Sequence, residues 1–552
     1  MRGIEQRVGL LFAAFLLVFS VILARAVWLQ GIQGGELAAD AQSQQTETVP
    51  VPGKRGRILD RRGRELAVSE ESATVYATPY QIRDPAATAR RLSGVLDVPE
   101  DEITESISDR ESGFAYVARN VDLAAAEQVR KLEIEGVGTL PSSHRVYPMG
   151  SELAGQVLGA VGLENEGLSG LEVHYEETLG GADGEAEVTR DALGETIRRE
   201  TVDGASSGED IRLTLDAELQ AKAEEVLAEI GQTYDPAGAT AVVMDPRSSD
   251  VLAVANWPPV DLTDLSEAAP DQLTNIATGF TYEPGSTYKA FTVAAALEEG
   301  LVTPHTSFYL PPEIKVADRV IKESHPRPAL DLTVADILAQ SSNVGAVKIG
   351  LEVGAERFDE YIRKFGFGEP TGVELPAEEQ GIVPVLDDYS GSTMGNLPIG
   401  QGLSVTPMQM AAGYTAIANG GVLRQPRLVR EVAGEPVAHE HGIRVMSEET
   451  AAQLRQMLEG VLAPGGTAEE VSVPGYRLAG KTGTAEKANE NGYSNSRFVA
   501  SFAGFAPVDD PGLLAVIVVD EPKGSYYGGE VAAPAFAPIA EFALPYLGIP
   551  PG

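Results

Sequence analysis

"SRFVASFAGFAPVDDPGLLAVIVVDEP", Ser496 to Pro522, is the stretch from which the fold of the larger part of this chain follows. Two apolar runs rich in Val, Phe, Ile and Ala flank Asp509–Gly512, a cluster of turn formers, so the stretch reads as a β-hairpin. Its counterpart lies far upstream in "GATAVVMDPRSSDVLAVANWP", Gly238 to Pro258. There the spacing predicts strands over Ala239–Met244 and Val251–Ala255 around a Pro-Arg-Ser-Ser-Asp turn. Just before it, "DIRLTLDAELQAKAEEVLAEIG" reads as a strand running into an amphipathic helix. Leu219, Ala223, Val226 and Leu227 fall at helical spacing, with Gly231 as the stop. Between the hairpins lie helical patterns over Ala290–Leu297, Val334–Gly350 and Met408–Ala418. Strands at both ends with helices between them predict an α+β domain whose antiparallel sheet is closed by its two ends.

Upstream of that domain the text changes character. Gln30 to about Gln45 is polar and small-residue-rich, a juxtamembrane linker or helix. "KRGRILDRRGRELA", Lys54–Ala67, has two short apolar-containing runs about Arg62-Gly63, the pattern of a hairpin turn. An Asn or Asp is expected where Arg62 stands, because Arg tolerates positive φ poorly. "PEDEITESISDRESG" and "DLAAAEQVRKLEIEGV" carry helical spacing, and Gly180, Gly181 and Gly184 precede a strand-like "EAEVTRD". Nothing in this part converges chemically.

The first residues decide the compartment. After Arg2 and Arg7 comes Val8–Ala24, 17 residues without a charge, then Arg25 and Trp28. With Arg25 snorkelling and Trp28 at the interface, the span reaches the length of about 20 residues that a bilayer requires. The leading arginines favour a cytoplasmic N-terminus and an extracytoplasmic remainder. A cleaved secretory signal is the alternative, for which the apolar run is long and its flanks are poor cleavage sites. The expected division is thus a cytoplasmic stub over 1–7, an anchor over 8–28, a pedestal over 29–208 and a second domain over 209–552.

Composition narrows the chemistry. The 552 residues include 42 Lys and Arg against 81 Asp and Glu, a formal charge of −39, and a surface that acidic repels nucleic acid. With no cysteine, thiol nucleophiles, disulfides and thiolate metal sites are excluded. His439-Glu440-His441 lacks a third ligand at a sensible distance and reads as a solvated loop rather than a metal site. Acid runs such as Glu100–Glu102 read as solvated faces. The one Gly-x-Ser-x-Gly match, Gly204–Gly208, is followed by strand-like text rather than a helix, so no nucleophile elbow for Ser-His-Asp catalysis appears.

"EPGSTYKAF", Glu283–Phe291, remains. At i and i+3 of a helix start, Ser286 and Lys289 share a face, and a lysine whose pKa is lowered serves as base for a serine. Alone, the pair reads as an ordinary helix cap. Two downstream elements change that reading. "AQSSNVG" puts Ser341, Ser342 and Asn343 at a turn, offering a hydroxyl relay and an amide. "LAGKTGTAE" puts Lys481, Thr482, Gly483 and Thr484 in strand-like text. There a lysine supplies a cation, the threonines bind a carboxylate, and Gly483 lets another backbone approach. Ser-x-x-Lys, Ser-x-Asn and Lys-Thr-Gly in that order are the set of penicillin-binding proteins and class A β-lactamases. Here they lie 55 residues (286 to 341) and 140 residues (341 to 481) apart.

From Lys54 to about Leu547 the sequence closely resembles the class B penicillin-binding proteins, monofunctional peptidoglycan transpeptidases, and most of all their septal, division-type branch. Beyond the catalytic elements, "RGRILDRRGRELA", "YPMGSELAGQVLGAVG", "EGLSGLE", "LTLDAELQ", "GQGLSVTPMQMAAGYTAIANGG" and "YYGGEVAAPAF" carry the likeness. The resemblance implies a penicillin-binding/β-lactamase-like α+β domain, its antiparallel sheet covered by helices on both sides, on an elongated α+β pedestal with one N-terminal transmembrane helix. It implies that Ser286 attacks the penultimate D-alanine of a stem peptide, that Lys289 takes the serine proton, and that Ser341 passes a proton to the leaving amine with Lys481 nearby. By the same resemblance Asn343 holds the donor peptide, Thr482, Gly483 and Thr484 line the site of its terminal carboxylate, and the backbone N–H groups of Ser286 and Thr484 form the oxyanion hole. β-Lactams would acylate Ser286. Arg55, Gly56, Asp60 and Gly63 would belong to a region contacting a SEDS-family glycosyltransferase and other division proteins. No metal or organic cofactor is implied. The alternatives are a D,D-carboxypeptidase or β-lactamase-like hydrolase on the same fold, an elongation-type transpeptidase, or a scaffold without catalysis, against which the intact Ser286, Lys289, Asn343 and Lys481 argue.

Overall fold

The computed structural model describes residues 2–32, 46–190, 196–266, 268–269, 272–439, 441–489 and 492–551. The chain forms two compact units. The first comprises 1–54, 70–144 and 181–208, and the second 55–69, 145–180 and 209–552. Two stretches that the sequence assigns to the pedestal, 55–69 and 145–180, therefore count with the second unit. The reason is burial: Ile58, Leu66, Leu153, Val157 and Leu171 share one hydrophobic core with the 209–552 segment.

In the first unit, α1 (Arg2–Val27) runs unbroken through Arg25. At 1.5 Å per residue its 26 residues span about 39 Å, more than the roughly 30 Å of a hydrocarbon core. Leu10, Phe15 and Leu17 are exposed, as lipid-facing side chains would be. The predicted linker falls largely on residues 33–45, outside the described residues. Helices Glu100–Ser106 and Leu123–Lys131 form where helical spacing is seen. Glu100, Asp101 and Glu102 occupy a first turn, where the helix dipole favours acids. Val75, Leu92, Ile103, Val117 and Val129 make this unit's core. Thr46–Val51, Gly184–Arg190 and Thr196–Asp203 form a separate antiparallel sheet.

The second unit is built on a five-stranded antiparallel sheet. Helix α2 (Ala217–Tyr234) leads into the hairpin β1 (Gly238–Asp245) and β2 (Asp250–Trp257). Then come α3 (Lys289–Glu298), α4 (Asn343–Val353) and α5 (Pro407–Ala418), followed by β3 (Ala479–Asn489), β4 (Gly492–Ala506), β5 (Leu513–Asp520) and α6 (Ala533–Tyr546). The order is β2-β1-β5-β4-β3, so the first hairpin pairs with the last strand, as the two hairpin sequences predict. Strands β1 and β5 are buried along nearly their whole length, which requires cover on both faces. Helices α2 and α6 pack together on one side, and α5 lies against β1, β4 and β5 on the other.

Three local expectations change. Gly231 does not stop α2, which continues to Tyr234 and ends at Asp235 in the left-handed region. A Cβ on Gly231 would lie 2.1 Å from Trp257 Cε2, so this glycine lets helix and sheet approach. The predicted helix Val334–Gly350 is two, Val334–Ala339 and Asn343–Val353, broken where Ser341 adopts φ +58°. At Arg62-Gly63 only Gly63 has positive φ (+81°), with Gly63 N donating to Asp60 O at 3.0 Å. Arg62 stays in ordinary backbone space, and no Asn or Asp is needed there.

Substituting Gly231→Ala should overpack this contact and cost about 1–3 kcal/mol, more than the helix propensity regained. Thermal unfolding compared with wild type tests it, and an unchanged or raised midpoint would refute the close-packing role.

Candidate active site

The Ser286 turn is a backbone junction. Gly285–Tyr288 forms one 3₁₀ turn that runs into α3, so Ser286 precedes Lys289 by one turn. Gly285 has φ +55°, and a Cβ there would lie 3.0 Å from Thr484 O. From the other side, a Cβ on Gly483 would lie 2.3 Å from Ser501 Oγ, 2.9 Å from Thr287 Cγ2 and 3.0 Å from Pro284 O. The approach that the sequence allows at Gly483 is thus filled by the serine turn itself. Behind the turn, Tyr414 Oη donates to Thr287 O at 2.7 Å. Tyr288 and Phe291 pack among Phe358, Phe365, Phe367 and Tyr414, fixing the base of α3. Glu283 Oε1 accepts from Gly402 N (2.9 Å) and Tyr493 Oη (3.1 Å), holding the approach to the turn.

Lys289 joins the first motif to the second. Its side chain is fully buried, and Nζ lies 2.6 Å from Ser341 O, 2.6 Å from Asn343 Oδ1 and 3.2 Å from Ser341 Oγ. Two of these partners are carbonyl-type oxygens, which only accept. A neutral amine satisfies both with its two N–H bonds and keeps a lone pair for a hydroxyl proton. Burial pushes the Lys289 ammonium down to about 7, with the Glu323 carboxylate pulling the other way. The unusual φ of Ser341 turns both its carbonyl and its hydroxyl toward this amine, a strained conformation of the kind that clusters at functional sites. Ser342 caps α4 by accepting from Gly345 N at 2.9 Å.

The third motif lies on β3, an edge strand of the sheet against which the serine turn packs. Lys481 is wholly buried, and Nζ donates to Thr482 O at 3.2 Å. Burial, and then the neighbouring charge of Lys289, pushes it well below the ordinary lysine value. The cation expected from sequence at Lys481 is therefore disfavoured in the free protein. Thr484 Oγ1 accepts from Gly528 N at 2.9 Å and keeps its own proton to donate. Thr482 Oγ1 lies 2.6 Å from Thr467 Oγ1. Thr467 is missed by sequence reasoning, since it sits in Gly-Gly-Thr loop text without periodicity.

Ser286, Lys289, Ser341, Asn343 and the Lys481–Thr484 strand thus meet in one place, through helix α3, the break before α4, and β3. The four pedestal-segment residues do not join them. Arg55 is buried, its guanidinium bonded to Glu172 (2.9 Å) and Glu176 (2.7 Å). A Cβ on Gly56 would lie 2.0 Å from Glu209 O. Asp60 is fully buried, accepting from Arg62 N (2.8 Å) and Arg64 N (2.9 Å). Within the region expected to contact a partner, Arg55 and Asp60 are interior residues, committed to ion pairs and a turn within their own unit. His439 Nε2 lies 3.2 Å from Gln425 O, and Glu440 of that cluster lies outside the described residues.

Comparison with known proteins identifies the family. The family model "Penicillin binding protein transpeptidase domain" matches residues 239–541, and "Penicillin-binding Protein dimerisation domain" matches 50–213. Stage V sporulation protein D of Bacillus subtilis is 36% identical, over 100% of this chain and 87% of its own length. Peptidoglycan D,D-transpeptidase FtsI of Escherichia coli is 31% identical, over 99% of this chain and 93% of its own. Among solved structures, penicillin binding protein 3 of Mycobacterium tuberculosis complexed with aztreonam is 30% identical with a TM-score of 0.71, covering 92% of this chain and 98% of that one. The chain belongs to the class B penicillin-binding proteins, as its motifs imply.

A lysine lowered by burial binds fewer protons folded than unfolded between pH 7 and its ordinary value near 10.5, so it makes stability rise with pH across that window. Urea unfolding at pH 7.0 to 9.5 should show wild type gaining up to about 1.4 kcal/mol per pH unit over Lys289→Met. Parallel curves would mean that Lys289 is charged in the folded protein.

Proposed function

We propose that this penicillin-binding protein is a peptidoglycan D,D-transpeptidase that cross-links stem peptides through an acyl-enzyme on Ser286, in septal wall synthesis at the outer face of the cytoplasmic membrane. The observation that carries the reading is the buried Lys289 amine, lowered to about 7 and bonded to Ser341 O and Asn343 Oδ1, one helical turn after the serine.

A donor stem ending in D-Ala-D-Ala lies along edge strand β3, its terminal carboxylate received by the hydroxyls of Thr482 and Thr484. Neutral Lys289 takes the Ser286 proton as the serine oxygen bonds to the penultimate carbonyl carbon. The N–H groups of Ser286 and Thr484 stabilise the oxyanion. The C–N bond then breaks, and the proton passes by way of Ser341 Oγ, 3.2 Å from Lys289 Nζ, to the departing D-alanine amine. An acceptor amine attacks the ester, returns a proton to Ser286 and completes the cross-link. β-Lactams enter as donor mimics and stop at the acyl-enzyme.

Helix α1 anchors the chain, and Arg2 and Arg7 ahead of the apolar run support a cytoplasmic N-terminus. A SEDS-family glycosyltransferase and other division proteins are the proposed partners. The surface available to them on the Arg55–Gly63 segment is its exposed side, Arg57, Arg62 and Gly63.

Fluorescent penicillin should label wild type and leave Ser286→Ala unlabelled, and equal labelling would overturn the nucleophile assignment. With a lipid-linked polymer and an amine acceptor, cross-linked dimers should form, whereas D-alanine release without dimers would favour the hydrolase reading. The acylation rate should rise with pH and level off above about 7, because only the neutral form of Lys289 accepts the proton. A limb near 10 would place the titration on an unperturbed lysine.

A further inference from the structure

Glu323 lies on the Lys322–Leu330 arm, between the hairpin Glu313–Val316/Arg319–Lys322 and the strand Leu330–Thr333. No sequence motif marks it. Its side chain is only 5% exposed, in a chain whose acids are mostly on the surface. Oε1 accepts from Ser342 Oγ at 2.7 Å, and Oε2 accepts from Asn343 N at 2.8 Å. Arg327, four residues on, bonds both to Glu323 Oε1 and to Ser342 Oγ at 3.2 Å. Beside it, Lys322 O accepts from Asn343 Nδ2 at 2.9 Å, which turns the amide so that its Oδ1 faces Lys289.

From this grip we infer that Glu323, braced by Arg327, is a positioning residue for acylation. It fixes Ser342 and the first residue of α4, and through them the Ser341 carbonyl and Asn343 amide that orient the Lys289 amine. The inference rests on the transpeptidase reading above. Two features support it beyond packing. A carboxylate is needed because both a hydroxyl and a backbone N–H donate to it, which leaves an uncharged isostere one strong acceptor short. The carboxylate is also the charge that favours protonated Lys289 against burial. The groups facing that amine are Lys481 from β3, which disfavours its charge, and Glu323 with its counter-ion Arg327 from the arm. Lys322 points away, toward Glu313 at 3.8 Å.

The test uses the full-length protein in detergent, with the second-order rate of acylation by a fluorescent penicillin measured from pH 5.5 to 9. Glu323→Gln should acylate about tenfold more slowly or worse at its plateau, since misplaced donors and acceptors are costly in a preorganised site. Its acid limb should move to lower pH, because loss of the carboxylate destabilises the Lys289 ammonium. Glu323→Asp keeps the charge at shorter reach and should lose rate with its limb where wild type has it. A Glu323→Gln plateau equal to wild type, or a lowered plateau with an unmoved limb, would reduce the residue to a structural bond. If Glu323→Gln fails to fold, a wild-type rate in Glu323→Asp overturns the inference. Absence of labelling in wild type would instead sink the acyl-enzyme reading.

Discussion

The buried amine of Lys289 is the constraint around which this site is organised. An amine removed from water must find acceptors inside the protein, and the two nearest ones are supplied by a single chain break, Ser341 O and Asn343 Oδ1. To supply them, the helical text from Val334 to Gly350 has to be interrupted, with Ser341 held at positive φ. Beside it, Ser342 caps α4 and α3 packs against α4. One desolvated group thus dictates the geometry of two helices and a turn.

A second demand is closeness. Gly285 of the serine turn and Gly483 of the edge strand approach each other closely, and each is in turn approached by a glycine from a neighbouring segment. Gly400 faces Gly285 O at 2.1 Å and Gly528 faces Gly483 O at 2.1 Å, measured to the Cβ each lacks. At such a junction only small side-chain groups, Thr287 Cγ2 and Ala485 Cβ, come between the Ser286 turn and the strand. It also explains why the motif glycines are structural requirements of the catalytic geometry and not loosened hinges.

How much of this was legible follows from the range of the interactions. The five-stranded sheet was readable because apolar runs bounded by turn residues are local signals, and so were Ser286, Lys289, Ser341, Asn343 and Lys481, whose motifs are short. Gly231 was misread as a helix stop because its reason for being glycine is Trp257, on another element. The inclusion of 55–69 and 145–180 in the second unit depends on Ile58 and Leu171 finding a core built by residues far along the chain. Arg55 and Asp60 carry no sequence signal of burial, yet Arg55 pairs with Glu172, more than 100 residues away, and Asp60 with Arg64 across a tight turn. Thr467 and Glu323 carry no pattern at all; they are defined only by what the fold brings beside them.

The electrostatics of the two motif lysines complete the physical picture. Both are fully buried, and each ammonium raises the cost of the other. With Glu323 able to offset charge at Lys289, the free site holds one such charge more readily than two. A carboxylate placed beside Lys481 would supply a counter-charge to it, so a ligand of that kind would favour the state in which Lys481 is charged and Lys289 is neutral.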